Sequence, residues 1–268
     1  MVGVIARTDL KQLIQSPDFW VPMAILAFLF FVLAPVMLLY AVTHAQAAPL
    51  VERIANTLQV LPAKAQQAVR GASPEGKTAY ALAVYLFAPL AIIVPMTIST
   101  AIGANTLVGE RERGTGEFLA HSPASETEIY LGKLVASLLP GYLTTLVGFG
   151  IYSLIVNSLV GPRVGGWFFP TADWWVLVLW VVPPFLALTL SAVLWLSGRV
   201  RSAAAAQQAS GLVTLPLIML SFALSSGSAF AAGGGLVIGL LAWIAAILGL
   251  SRGARSVRRA TLLGVEAR

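Results

Sequence analysis

The sequence has no cysteine, only 2 histidines and little charge, with Asp, Glu, Lys and Arg making up 10% of its 268 residues. Without cysteine there are no disulfides, no thiolate nucleophile and no cysteine metal site. His44 and His121 lie far apart, and neither H-E-x-x-H nor G-x-S-x-G occurs. The chain therefore offers no candidate catalytic residue and no metal ligand set, and it is not expected to be an enzyme by itself. Its long apolar runs also lack Asp, Glu, Lys and Arg in their interiors, the groups that proton relays and ion-coupled carriers place at membrane depth.

What is abundant is apolar surface. Apolar residues make up 58% of the chain and the mean hydropathy is +0.85, which fits a bilayer and not an aqueous solvent. Reading runs of about 20 apolar residues gives six spans, at 19–42, 79–104, 134–160, 174–197, 209–226 and 233–251. The fifth is the shortest and holds Pro216. The expected fold is an all-α membrane protein of six transmembrane helices, with the spans occupying 19–251 and leaving little room for a soluble domain beside them.

A net charge of +6 could point to nucleic acid, but the basic residues sit between apolar runs and form no basic and aromatic patch. Topology explains them better. With the N-terminus inside, the cytoplasmic segments hold 12 of the 17 basic residues, and only Arg53, Lys64, Arg70, Lys77 and Arg163 fall outside. That is a positive-inside bias. Trp20, Trp167, Trp174, Trp175 and Trp195 fall near span ends, as an aromatic belt requires. The expected location is a bacterial-type cytoplasmic (inner) membrane, multi-pass, with both termini cytoplasmic and lipid but no nucleic acid as partner.

Flanking segments complete the plan. In residues 1–18, Val4, Ile5, Leu10, Leu13 and Ile14 alternate with Arg7, Asp9, Lys11 and Gln12 until Pro17, which reads as an interfacial amphipathic helix or a short solvated leader. The Ala45-Gln46-Ala47 pattern resembles a signal-peptidase site, but the run from Phe19 to Val42 exceeds the about 7–15 residues of a signal core. It is read as a retained span. The external loop 43–78 carries Leu50, Val51, Ile54, Leu58 and Leu61 at helical spacing, so it holds a small amphipathic helix or a flexible loop. Residues 252–268 form a basic cytoplasmic tail.

Residues Gly71 to Thr78 fit G-x-x-x-x-G-K-[ST]. The context argues against a phosphate-binding loop: the preceding Ala63–Arg70 stretch is polar and not a buried strand, and the charge bias puts the segment outside, away from ATP. Within the spans, Asn105, Thr144, Thr145, Asn157 and Thr214 are candidates for a substrate path, against the plainer reading of hydrogen bonds between helices. Gly235 and Gly239 form a GxxxG read as close helix packing.

The informative segment is 109–133, between spans two and three. Gly109-Glu110-Arg111-Glu112-Arg113-Gly114-Thr115-Gly116-Glu117-Phe118-Leu119-Ala120-His121-Ser122-Pro123 leads into Ser125-Glu126-Thr127-Glu128 and then Gly132-Lys133. Gly114 and Gly116 break the preceding helix, Thr115 can cap a new turn, Glu117 suits a helix N-terminus, and Pro123 ends it. Ser125 with Glu128 matches a capping box.

At these residues the chain resembles the ABC-2 permease family, whose members show an acidic and basic cluster, Gly-Thr, a Glu two residues on, a short apolar helix, a Pro and a Gly-Lys at the third span. The main departure is Gly116-Glu117-Phe118-Leu119-Ala120-His121, a stretch where leucines are commoner. The resemblance implies an ATP-driven exporter in which this segment is a coupling helix docked on an ATPase, through Glu110, Arg113, Gly114, Thr115, Glu117, Phe118, Leu119 and Pro123. It implies no cofactor in this chain, ATP and Mg being bound by the partner. The implied assembly is two copies of a separate ABC ATPase on a permease homodimer, with a heterodimer as the variant. The cargo expected from uncharged span interiors is apolar or amphipathic. An ion- or proton-coupled secondary carrier, or a non-transporting ABC-like signalling or assembly complex, are the competing readings.

Overall fold

The computed structural model describes residues 1–44, 51–52, 63–112, 114–197, 199–200, 202–226 and 234–256, and every regular element among them is helical. Apolar runs of this length satisfy each backbone N–H and C=O internally only as helices. Helix α1 is Val2–Gln15, ending at Ser16 in an extended conformation just before Pro17. Pro17 then opens α2, Pro17–His44, where its missing N–H costs nothing. The span Pro74–Glu110 consists of α3, Pro74–Ala81, a π turn over Leu82–Leu86, and α4, Leu90–Glu112. The break between them sits at Pro89, which cannot donate to a helical hydrogen bond. Then follow α5, Gly116–Ala120; α6, Glu126–Leu159; α7, Ala172–Ser197; α8, Ala203–Ser226; and α9, Gly235–Ser256.

Among the described residues, 5 helical stretches are long and apolar enough to cross a membrane: Pro17–His44, Pro74–Glu110, Glu126–Leu159, Ala172–Ser197 and Gly235–Ala254. They overlap the first, second, third, fourth and sixth of the runs read from the sequence nearly end to end. The remaining run, 209–226, forms the second part of α8, a helix of 24 residues with no charged side chain. Helix ends differ from the hydropathy boundaries because capping, and not apolarity, sets them. Ser125 accepts from the Glu128 N–H while the Glu128 carboxylate takes the Ser125 N–H. This capping box starts α6 at Glu126, ahead of the run at 134, so segment 109–133 is divided among the end of α4, α5 and the start of α6.

The bundle is layered around α4 and α7. In the spans that contain them, 72% and 67% of the apolar window is buried, against 22% for α2 and for α9. Helix α4 packs on α6, α7 and α8, and α7 packs on α9. Glycines permit the closest approaches. A Cβ on Gly141 of α6 would lie 2.7 Å from the Pro95 carbonyl oxygen, so α6 and α4 touch backbone to backbone there. Gly239, of the GxxxG pair, lies under the Trp180 ring of α7, and Trp180 Nε1 donates to Leu236 O at 3.1 Å. Gly239 is thus used in packing within the chain.

At the end of the bundle remote from α1, rings of Phe149, Tyr152, Phe169 and Trp174 stack and meet edge to face with centroids 5.0–6.0 Å apart. The loop carrying Phe169, with its cis Phe169–Pro170 bond, is fastened to this cluster. Residues 45–50 and 53–62 of loop 43–78, which hold Leu50, Ile54, Leu58 and Leu61 of the expected helix, and the tail beyond Ser256 lie outside the described residues.

Candidate functional site

Three elements meet at the α1 end. Lys133 on α6 is only 2% exposed, and its Nζ lies 3.0 Å from Asp9 Oδ2 on α1 and 2.7 Å from Glu110 Oε1 on α4. An ammonium group removed from water in this way requires opposite charge close by, and here the two carboxylates come from two different helices. The approach of α1 is fixed beside them: a Cβ on Gly132 would sit 2.8 Å from Ile5 Cβ, so the glycine leaves room for α1 to lie directly on α6. Ile5 and Ala6 pack inward one turn before Asp9, and Leu13 packs inward one turn after it. Val4 and Ile14, 63% and 73% exposed, point away from the bundle.

Beside this trio is a cleft of about 250 Å³. Gln12, Leu13, Ser16 and Phe19 form one wall and Ile102, Asn105, Thr106 and Ala136 the other, with Asp9, Glu110 and Lys133 between. Asn105 thus lines a cavity, its Nδ2 donating to Ala101 O at 2.9 Å. The other substrate-path candidates are not gathered with it. Thr144 and Thr145 donate to the carbonyls of Pro140 and Gly141, four residues back, at 2.7 and 2.9 Å. Asn157 belongs to the remote end, where it clamps the Phe168–Phe169 backbone. Thr214 on α8 is 6% exposed and its Oγ1 has no hydrogen-bond partner.

The 109–133 segment is anchored on the trio. Gly114 adopts φ +71°, the left-handed conformation that closes a helix, and the Thr115 N–H returns to Glu110 O at 2.9 Å. Thr115 stands at the N-cap of α5 but makes no side-chain cap bond; its hydroxyl donates instead to the Glu110 carboxylate. Glu110 therefore joins α5 to Lys133. Glu117 lies in the first turn of α5, and His121 Nδ1 donates to its carbonyl at 2.8 Å. Leu119 packs against the cluster of Leu107, Ala124, Ile129, Tyr130 and Leu134, whereas Phe118 next to it is 81% exposed. Pro123 lies in the exposed turn before Ser125, and Arg113 lies outside the described residues.

A second polar chain supports the same end: Tyr130 Oη donates to Ser191 Oγ at 2.9 Å, and Ser191 Oγ donates to Gly249 O at 2.8 Å, joining α6, α7 and α9. Among the described residues no cluster of three or more His, Asp or Glu forms a metal-binding group. The Gly71–Thr78 stretch is a helix start: Ser73 accepts the Gly76 N–H at 3.1 Å, a helix and not a strand precedes it at Ala63–Ala68, and Thr78 is 1% exposed. Its hydroxyl is not placed to meet a nucleotide-bound cation.

Residues 4–265 match a family described as ABC-2 family transporter protein. The chain belongs to this family. Comparison with curated protein sequences found no match. For an ABC-2 transporter the sequence pointed to Glu110, Thr115, Phe118 and Leu119 but not to Asp9 or to Lys133 as its partner. One signal was available: Asp9 lies four residues from both Ile5 and Leu13 on the packed stripe of α1, and a carboxylate on such a stripe demands a buried partner.

Proposed function

We propose that this ABC-2 protein is the membrane-spanning subunit of an ATP-driven exporter for an apolar or amphipathic cargo, powered by a separate ATPase that binds ATP and Mg. Phe118 carries the reading. An aromatic ring that is 81% exposed, on a five-residue helix held down by Leu119 and Thr115, has the form of a docking knob for a groove in a partner. With α5 facing the cytoplasm, α1 lies against the inner leaflet and both termini are cytoplasmic. Helix α8, uncharged and about 36 Å long at 1.5 Å per residue, is the remaining span and brings each chain of an inner-membrane homodimer, carrying two ATPase copies, to six. The cargo class follows from the interior. The fully buried charged side chain among the described residues, Lys133, sits at the α1 end and is paired, so no charged group at mid-membrane replaces an ion's hydration shell.

The test is co-expression of the tagged chain with candidate ABC ATPases from its own organism. The expected result is a co-purifying complex that hydrolyses ATP, and vesicles that move an amphipathic dye only with both subunits present. Transport by the purified chain alone in proteoliposomes would favour a secondary carrier, and sodium efflux by the complex would overturn the cargo assignment.

A further inference from the structure

We infer that Lys133 is a positioning residue that makes α1, the end of α4 and the start of α6 one rigid body, so that α1 is carried along when α5 is displaced. The inference rests on the proposed docking of α5 on an ATPase and assigns what moves when that docking does work.

The geometry carries it in three steps. First, Glu110 is shared: its carboxylate accepts from the Thr115 hydroxyl at the root of α5 and lies 2.7 Å from Lys133 Nζ on α6. A push on α5 therefore reaches Lys133 through a single side chain. Second, Lys133 passes it to α1 through Asp9 at 3.0 Å. At 2% exposure the ammonium cannot exchange these carboxylates for water during a motion without leaving a buried charge unpaired, so separation of the three helices is disfavoured at every stage of the cycle. Third, α1 has no slack against α6, because Gly132 brings Ile5 into direct contact one turn from Asp9. One ionic joint and one packed joint, four residues apart on α1, fix both position and rotation. The cleft beside the trio, lined chiefly by these same three helices, then travels with α5 as a unit.

The chain has no cysteine, so the motion can be read with nitroxide labels on the full complex in nanodiscs. Lys11→Cys with Thr127→Cys reports within the proposed body, both sites being exposed; Lys11→Cys with Ser251→Cys reports across to α9. Helix α9 is tied to α6 there by the neutral Tyr130–Ser191–Gly249 hydrogen bonds, which leave no charge unpaired when they part, so that it is free to slide. Trapping the complex with ATP and vanadate is expected to shift the second distance and leave the first unchanged. In Lys133→Met the ATPase still co-purifies, the first distance broadens and the second no longer shifts; Lys133→Arg restores the unsubstituted behaviour. If Lys133→Met fails to fold, the charge-free Asp9→Asn, Glu110→Gln, Lys133→Met variant gives the same readout. A change in the Lys11–Thr127 distance on trapping the unsubstituted complex would overturn the rigid body, and so would an unshifted Lys11–Ser251 distance. A Lys133→Met protein that behaves as unsubstituted would remove Lys133 from the joint. Failure of the unsubstituted chain to retain the ATPase would instead bring down the exporter reading, and this inference with it.

Discussion

Asn157 holds Phe169 by both backbone groups, accepting the Phe169 N–H on Oδ1 at 3.1 Å and donating from Nδ2 to the Phe169 carbonyl at 2.6 Å. It also accepts the Phe168 N–H at 3.0 Å. The loop backbone there is buried under Trp174 and Tyr152, where unpaired amides are costly. Asn157→Ala is therefore expected to lower stability by about 1–3 kcal/mol, the penalty for orphaned buried polar groups. Thr144→Ala, which only loses a bond to its own helix, should change it far less. Thermal unfolding in detergent, followed on both variants, checks the contrast; equal midpoints would refute the clamp.

That residue marks a limit of sequence reading. A run of apolar residues announces a span because the bilayer admits little else, and five of the six runs read from hydropathy lie in helices of spanning length. Polar residues inside those runs carry no such constraint. Thr144, Asn105 and Asn157 look alike in the sequence, yet the first bonds to its own helix, the second lines a cleft and the third fastens a loop. The 109–133 segment was more legible because Gly114, Ser125 and Glu128 are local instructions, satisfied by backbone within a few residues. The bond from Asp9 to Lys133 spans 124 residues, and no local pattern encodes its distance.

Gly148 and Gly150 sit two residues apart on α6 and should respond oppositely to the same change. A Cβ on Gly148 would overlap the Phe31 ring of α2, which is 3% exposed and enclosed, whereas Gly150 has nothing within 4 Å. Gly148→Ala is expected to destabilise by about 1–3 kcal/mol through overpacking. Gly150→Ala should be neutral or stabilise by up to about 1 kcal/mol through helix propensity. Unfolding by a graded denaturing detergent would show Gly148→Ala below the parent and Gly150→Ala level with it or above.

Lys77 should be silent despite its place in a nucleotide-loop pattern. It stands in the first turn of a helix capped by Ser73, behind a helix and not a strand, and its neighbour Thr78 is buried. An exposed substitution of this kind moves stability by no more than about 0.5 kcal/mol. ATP hydrolysis by the assembled complex with Lys77→Ala is expected to stay within about twofold of the parent. Loss of nucleotide binding in a complex whose ATPase is intact would show that the segment works as a phosphate loop after all.

Phe118 and Leu119 are adjacent on α5 but face opposite ways, and this predicts a crossed result. Leu119 is packed against Leu107, Ala124 and Ile129, while Phe118 presents 81% of its surface to solvent. Truncating a packed leucine leaves a void in the protein itself; truncating an exposed ring removes nothing from the fold. Phe118→Ala should therefore leave the thermal stability of the isolated chain unchanged. In the complex it should weaken ATPase binding by about 2 kcal/mol, roughly thirtyfold, as removal of an aromatic anchor from a partner's pocket does. Leu119→Ala should lower the stability of the isolated chain and weaken binding only as far as α5 loses its footing. Glu117→Ala separates two uses of that carboxylate: favouring its own helix N-terminus, worth about 0.3–1 kcal/mol, or pairing with a basic residue of the ATPase, which would appear as salt-dependent loss of binding. Measuring unfolding midpoints of the free chain alongside ATPase retention on an affinity column reads both axes. If Phe118→Ala and Glu117→Ala both assemble fully, α5 is not the docking element, and the ATPase must be sought on another surface of the α1 end.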